Sequence, residues 1–162
     1  EMCIRDSYWS SVIYLNFAEA KDEMGSLTQD DLNNSINKLQ ARAGLPAMTT
    51  TPDADPANNM GVSNLIWEIR RCRRCELIMD NWYRYWDLIR WHQLDKLDST
   101  KYPNTMLGAN VSNVPDCEEA TKNGYIDASD AQIRTYEAKH YFYPIPTTQL
   151  TLNKNMKQNP GW

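Results

Sequence analysis

Apolar residues recur every three or four positions in several stretches of the chain, the spacing that lines one face of an α-helix. In the first, Trp9, Ile13, Phe17, Ala20 and Met24 fall on such a stripe, and Gly25 stands where a helix stops. The pattern predicts an amphipathic helix over 8–24. In the second, Thr28 and Asp31 form a hydroxyl and acid cap three apart, and Leu32, Ile36, Leu39 and Ala43 carry the stripe until Gly44 and Pro46 end it. Two helices joined by a few residues make a helical hairpin. Small Ala18 and Ala20 permit close approach of a neighbouring helix, as in tetratricopeptide units, although no second copy of the hairpin follows.

Residues 63–91 predict two further helices. Ser63 or Asn64 caps the first, whose apolar face holds Leu65, Ile69, Cys72 and Met79. Glu76 lies on the same stripe, where a carboxylate is costly unless paired, and Arg73 three positions back is the nearest of several candidates. Asp80-Asn81 interrupts the pattern. Trp82, Tyr85, Trp86 and Ile89 then make a second apolar face, while Arg84 and Arg90 stand four and three positions from Asp80 and Asp87. Arg73, Arg74, Glu76, Asp80, Arg84, Asp87 and Arg90 are thus candidates for a structural polar network.

Elsewhere neither helical nor strand period persists. Residues 46–61 are rich in Thr, Pro, Asp and Asn and predict a surface loop. Residues 98–124, punctuated by Pro103, Gly108, Pro115 and Gly124, predict an irregular excursion with a short helical turn near 115–121. Residues 137–146, aromatic and proline-bound, predict an extended segment, and Thr147 caps a short turn through Leu150. The fold class is mainly α.

With 41% hydrophobic and 23% charged residues the 162-residue chain has the composition of a globular domain, and its net charge of -4 argues against nucleic acid as a partner. No apolar run approaches the roughly 20 residues of a membrane-spanning helix, and no secretory signal or lipid-attachment cysteine is recognisable at the start. Residues 1–7, EMCIRDS, look like a translated sequencing remnant and are set aside, which leaves residues 8–162 as the domain and Cys72, Cys75 and Cys117 as its thiols.

Cys72 and Cys75 have the spacing of a redox pair or half a zinc site. They lie about two turns into a predicted helix, away from the N-terminal dipole that would lower a thiol pKa, and His92, His140 and Cys117 supply no paired ligand spacing. Inert semi-buried thiols are expected, with no metal and no cofactor. Arg70, Arg71, Arg73 and Arg74 point in successive directions around a helix, so they cannot converge on one anion, and internal pairing is expected. Trp67, Trp82, Tyr83, Tyr85, Trp86 and Trp91 could stack on sugar rings, yet large rings at helical spacing first fill a core. Tyr102 and Asn104 sit in an irregular stretch, better placed to reach solvent. No pair of the 21 acids is singled out for glycoside cleavage, so the ligand-binding residues stay unassigned and no catalytic residue is named.

The run Cys72-Arg73-Arg74-Cys75-Glu76-Leu77, Asp80-Asn81, Arg84, Tyr85-Trp86 and Asp87-Leu88-Ile89-Arg90-Trp91 resembles the C-terminal region of the SusD/RagB family of outer-membrane nutrient-binding lipoproteins. Cys72 stands where that family has an acid, and Asn81 where it has a glycine. Tyr14-Leu15-Asn16-Phe17-Ala18-Glu19-Ala20, the segment from Ile36 to Pro46, and the Tyr143-Pro144-Ile145-Pro146 to Gln158-Asn159-Pro160-Gly161-Trp162 ending are similar to the family in the same order. The resemblance implies the C-terminal part of a SusD-like fold, complete at its C-terminal end, with further tetratricopeptide-type helices upstream. It also implies a non-enzymatic protein, lipid-anchored on the outer membrane of a Gram-negative cell. Such a protein captures an oligosaccharide or other nutrient for a TonB-dependent SusC-like transporter and touches the membrane only through its anchor. The alternative is a helical protein- or peptide-interaction module with no glycan binding, and an enzyme using Cys72 and Cys75 is the remaining rival.

Overall fold

The computed structural model describes residues 9–78, 83–115, 120–127 and 132–162. Residues 1–7, Met79, Asp80, Trp82 and Cys117 therefore lie outside the described residues. Two compact units divide the chain, Glu1–Arg84 and Tyr85–Trp162.

In the first unit α1 (Ser10–Glu23), α2 (Gln29–Asn34), α3 (Ile36–Arg42) and α4 (Asn64–Glu76) enclose one apolar core. α1 packs on α4 and α3, and Leu15, Leu32, Ile36 and Ile69 are fully buried where they meet. The buried side of α1 is Val12, Leu15 and Ala18, not the expected stripe: Trp9, Ile13, Phe17 and Met24 are 50%, 59%, 41% and 76% exposed. This helix is apolar on two sides, and helical spacing alone does not say which side meets the core.

The cap of the second helix forms as expected. Asp31 N–H donates to Thr28 Oγ1 at 3.2 Å, and Thr28 N–H donates back to Asp31 Oδ2 at 3.0 Å. The single helix expected over the following stripe is broken at Ser35, whose φ and ψ are −128° and −99°. Buried Ser35 Oγ donates to Asp31 O at 2.6 Å, a bond back along the helix that bends it and starts α3 in a new direction. The loop that follows is tied down rather than free: Asn37 Oδ1 accepts from Met48 N–H at 2.7 Å, its Nδ2 donates to Met48 O at 3.0 Å, and Met48 is buried in the core.

α4 is capped by Ser63 Oγ, which accepts from Ile66 N–H at 3.1 Å. Its buried residues include the predicted Leu65, Ile69 and Cys72, and the helix ends at Glu76. α5 (Tyr83–Arg90) runs across the boundary between the units, its first two residues belonging to the first. The residues it buries are Asp87 and Leu88; Trp86, expected on the apolar face, is 54% exposed.

The second unit has a small core of Leu88, Trp91 and Leu94. α5 stops because His92 takes a left-handed φ of 53° while Gln93 N–H reaches back to Leu88 O at 2.7 Å. Turns of 3₁₀ helix follow at Leu94–Leu97 and Pro103–Met106. The stretch expected to be irregular instead contributes two strands of an antiparallel three-stranded sheet in the order β1 (Leu107–Asn110), β3 (Tyr125–Asp127), β2 (Ala120–Lys122), whose third strand, β3, follows it directly. Residues 120–122 are therefore strand, not helical turn. Asn123 and Gly124 join β2 to β3 with φ of 54° and 80°, the positive pair that a tight two-residue hairpin requires. The segment expected to be extended begins as a 3₁₀ turn, Ala138–Tyr141, before extending through Pro146 into α6 (Thr147–Leu152).

Candidate functional site

An open cavity of about 430 Å³ lies wholly within the second unit, inside the range of roughly 300–1,000 Å³ usual for small-molecule sites. Its walls are mostly aromatic. Tyr85, Tyr136, Phe142, Tyr143 and Trp162 line it together with His140, and Leu94, Leu97 and Pro144 add apolar surface. Arg134 and Thr135 supply the remaining polar lining.

Hydrogen bonds between segments distant in sequence bring these side chains together. Pro144 and Pro146 have no N–H, so residues 143–146 cannot pair regularly as a strand. The side-chain amide of Gln158 takes a strand's place: Ile145 N–H donates to Gln158 Oε1 at 2.8 Å, and Gln158 Nε2 donates to Ile145 O at 2.9 Å. Asn159 Nδ2 donates to Tyr143 O at 2.7 Å, and Trp162 Nε1 donates to Phe142 O at 2.9 Å. The tail is thus sewn to the Tyr-Pro-Ile-Pro segment. Gly161 makes the last step possible, because its φ is +88° and a Cβ there would stand 2.9 Å from the Cβ of Lys139.

The Arg134 to Tyr136 part of the lining is held by a second set of bonds. Ser99 N–H and Arg134 O are 2.9 Å apart, and Arg134 N–H donates to Ser99 Oγ at 2.9 Å. Tyr136 N–H donates to Asp98 Oδ2 at 3.1 Å. Arg134 and Tyr136, two apart on an extended backbone, are pinned by neighbouring residues of one turn. Asp98, buried, is held near a pKa of about 2 by the Thr100 hydroxyl first and then by backbone N–H groups of Tyr136, Thr100 and Lys101. Burial and the Tyr141 hydroxyl push Tyr136 up to about 12, so its phenol stays protonated. His140 Nδ1 accepts from Glu137 N–H at 3.0 Å, which leaves Nε2 to carry the proton of the neutral ring. Tyr85 and Tyr143 place their hydroxyls 3.5 Å apart, and that contact raises the Tyr85 pKa. The cavity therefore offers aromatic faces beside hydroxyl, imidazole and guanidinium donors, the combination that holds the apolar face and the hydroxyls of a polyol ring.

Of the aromatic residues weighed from the sequence, only Tyr85 lines this cavity among the described residues. Trp67 Nε1 donates to Asp55 Oδ2 at 2.9 Å, Tyr83 lies 5.8 Å from the Arg73 guanidinium, Trp91 is buried under Arg90, and Tyr102 bonds Lys96 Nζ at 2.8 Å. The sequence does not mark Tyr136, His140, Phe142, Tyr143 or Trp162 as ligand contacts. Their signal was present as two aromatic, proline-containing segments, but nothing in either one says that they meet.

The candidate polar network is distributed over both units. In the first, Glu76 pairs with Arg42 of α3 rather than Arg73, and buried Arg73 donates to Asn16 Oδ1 of α1 at 2.8 Å. Arg74 is exposed and Arg84 half-buried. In the second, Arg90 Nε donates to buried Asp87 Oδ1 at 2.9 Å. Asp80 lies outside the described residues. Arg70 bridges helices, with Nε 3.2 Å from Glu19 Oε1, and Arg71 pairs with Glu68. Burial pushes the Cys72 thiol up to about 11, and Gln40 Nε2 lies 3.7 Å from its sulfur. At neutral pH that thiol is protonated and a poor nucleophile. Among the described residues no cluster of three His, Cys, Asp or Glu side chains could hold a metal, and no helix is long and apolar enough to cross a membrane.

Comparison with known proteins places these features in a wider group. The family model described as the SusD family matches residues 11–162. A crystal structure of a SusD-like protein from Bacteroides fragilis superposes with a TM-score of 0.64 at 25% identity, over 94% of this chain and 25% of that one. The chain thus spans a quarter of that relative's length. No curated protein sequence matches it.

Proposed function

The chain belongs to the SusD family, and from that premise we propose that it is part of a non-catalytic glycan- or nutrient-capturing protein, with the aromatic cavity of its second unit as a ligand site. The protein would be held by a lipid anchor on the outer membrane and would pass its ligand to a TonB-dependent SusC-like transporter. Capture and handover need no reactive group. The protonated Cys72 thiol fits that reading better than thiol catalysis does. Residues 8–162 are read as the C-terminal region of such a protein, its α1 to α3 hairpin as one tetratricopeptide-like unit, and residues 1–7 as foreign to it.

The observation that carries the proposal is the convergence of Tyr85, Tyr136, Tyr143 and Trp162 around an open cavity. Titration calorimetry of the chain with a panel of neutral and acidic oligosaccharides tests it. At least one saccharide binds, and Tyr143→Ala, a change at an exposed ring, weakens it roughly tenfold by removing a stacking face. Absence of binding across the panel would overturn the cavity's role.

A second reading, a helical interaction module without glycan binding, draws on the exposed Trp9, Ile13, Phe17 and Met24 of α1. Binding of an amphipathic helical peptide, with no saccharide bound, would favour it.

A further inference from the structure

We propose that the saccharide taken by the cavity carries a carboxylate, as a hexuronate does, and that Arg134 is the residue that selects it. This rests on the reading of the cavity as a glycan site.

Arg134 is the one permanently charged side chain among the described lining residues, and none of those residues is a carboxylate. The chain as a whole is acidic, with a net charge of -4, so a cationic aromatic cavity runs against its average. Neighbouring charges are engaged elsewhere. Lys139 Nζ pairs with Glu137 Oε2 at 3.1 Å and lies 5.3 Å from the Trp162 ring centre, while the Asp98 carboxylate accepts from Thr100 and Tyr136. The Arg134 backbone is clamped to Ser99 on both its N–H and its C=O, yet no described side chain pairs with its guanidinium. Lys96, by contrast, is spent on Tyr102.

A held backbone whose guanidinium no described side chain engages, beside aromatic walls, is suited to an anionic ring. A sugar stacked on the aromatic faces would strip water from the guanidinium as it seals the cavity. A neutral hydroxyl compensates that loss weakly, whereas a carboxylate matches the planar fork with two charge-assisted hydrogen bonds. The Tyr143 hydroxyl and the Nε2 proton of His140 remain for ring hydroxyls. A sulfated sugar would share the anionic chemistry, but the planar fork favours the carboxylate.

The test compares trigalacturonate, its methyl ester, which keeps the ring and loses the charge, and a 6-O-sulfated galactose trisaccharide, by calorimetry on the chain at low salt. The expected result is that trigalacturonate binds about tenfold more tightly than its ester, and more tightly than the sulfated sugar. Arg134→Gln removes the preference while ester binding persists, and Arg134→Lys restores part of it. Far-UV circular dichroism checks that both variants fold; as Arg134 is exposed and its structural bonds are made by backbone, they should. Equal binding of acid and ester, a preference that survives Arg134→Gln, or tighter binding of the sulfated sugar overturns the inference and leaves the glycan reading standing. No binding of any of the three, with none across the wider saccharide panel, overturns both.

Discussion

Glu19 and Arg70 show what a single pair of residues decides. Glu19 is buried on α1 and Arg70 is nearly so on α4, with Glu23 as a second, more distant partner at 3.6 Å. Removing one member leaves the other charge in a place water scarcely reaches. Glu19→Ala should lower the stability of the first unit by about 3 kcal/mol, the low end for a broken buried pair because Glu23 remains, and urea unfolding measures it. Asp98 makes the corresponding statement for pH. Its carboxyl has a folded pKa of about 2 against an ordinary value of 3.8, so the unfolded chain takes up the proton first as pH falls. Its contribution is complete above about pH 4 and is lost on descending toward pH 2. An acid titration followed by near-ultraviolet circular dichroism should show that loss, and Asp98→Asn should flatten this limb.

At the scale of elements, the tail and the proline-bound segment form a unit without regular secondary structure. Two prolines leave Ile145 with the only N–H between Tyr143 and Thr147, and the Gln158 amide satisfies both of its backbone groups as a paired strand would. Gly161→Ala should dislodge Trp162, because a methyl group cannot occupy the space beside Lys139 and the left-handed φ is strained for alanine. The expected outcome is a red-shifted Trp162 emission, read with the other tryptophans as background, and weakened saccharide binding with the helical signal unchanged. The sheet shows a different kind of legibility. Asn123-Gly124 is a recognisable hairpin turn in the sequence, yet strands of three and four residues around it are too short to establish an alternating pattern. The same limit applies to Ser35, where a buried hydroxyl bond breaks a helix whose apolar stripe runs on unbroken.

For the molecule as a whole, apolar period and capping residues were enough to specify a mainly helical chain, the Thr28 and Ser63 caps and the buried face of α4, because those depend on neighbours within one turn. The ordered motifs around Arg73, Arg90 and Trp162 were enough to specify the family, since they are strings of residues and need no coordinates. Which side of α1 enters the core was not determined in the same way. Both sides are apolar, and only packing against α3 and α4 selects Val12, Leu15 and Ala18 over Ile13 and Phe17. The cavity lay further out of reach. Tyr85, Arg134 and Trp162 are separated by 49 and 28 positions, and their meeting depends on long-range bonds through Ser99, Asn159 and Gln158 that no local rule encodes. Local chemistry determined the helices and their ends. Tertiary structure alone chose which apolar face is hidden and which aromatic rings line the cavity, because burial is a property of neighbours distant in sequence.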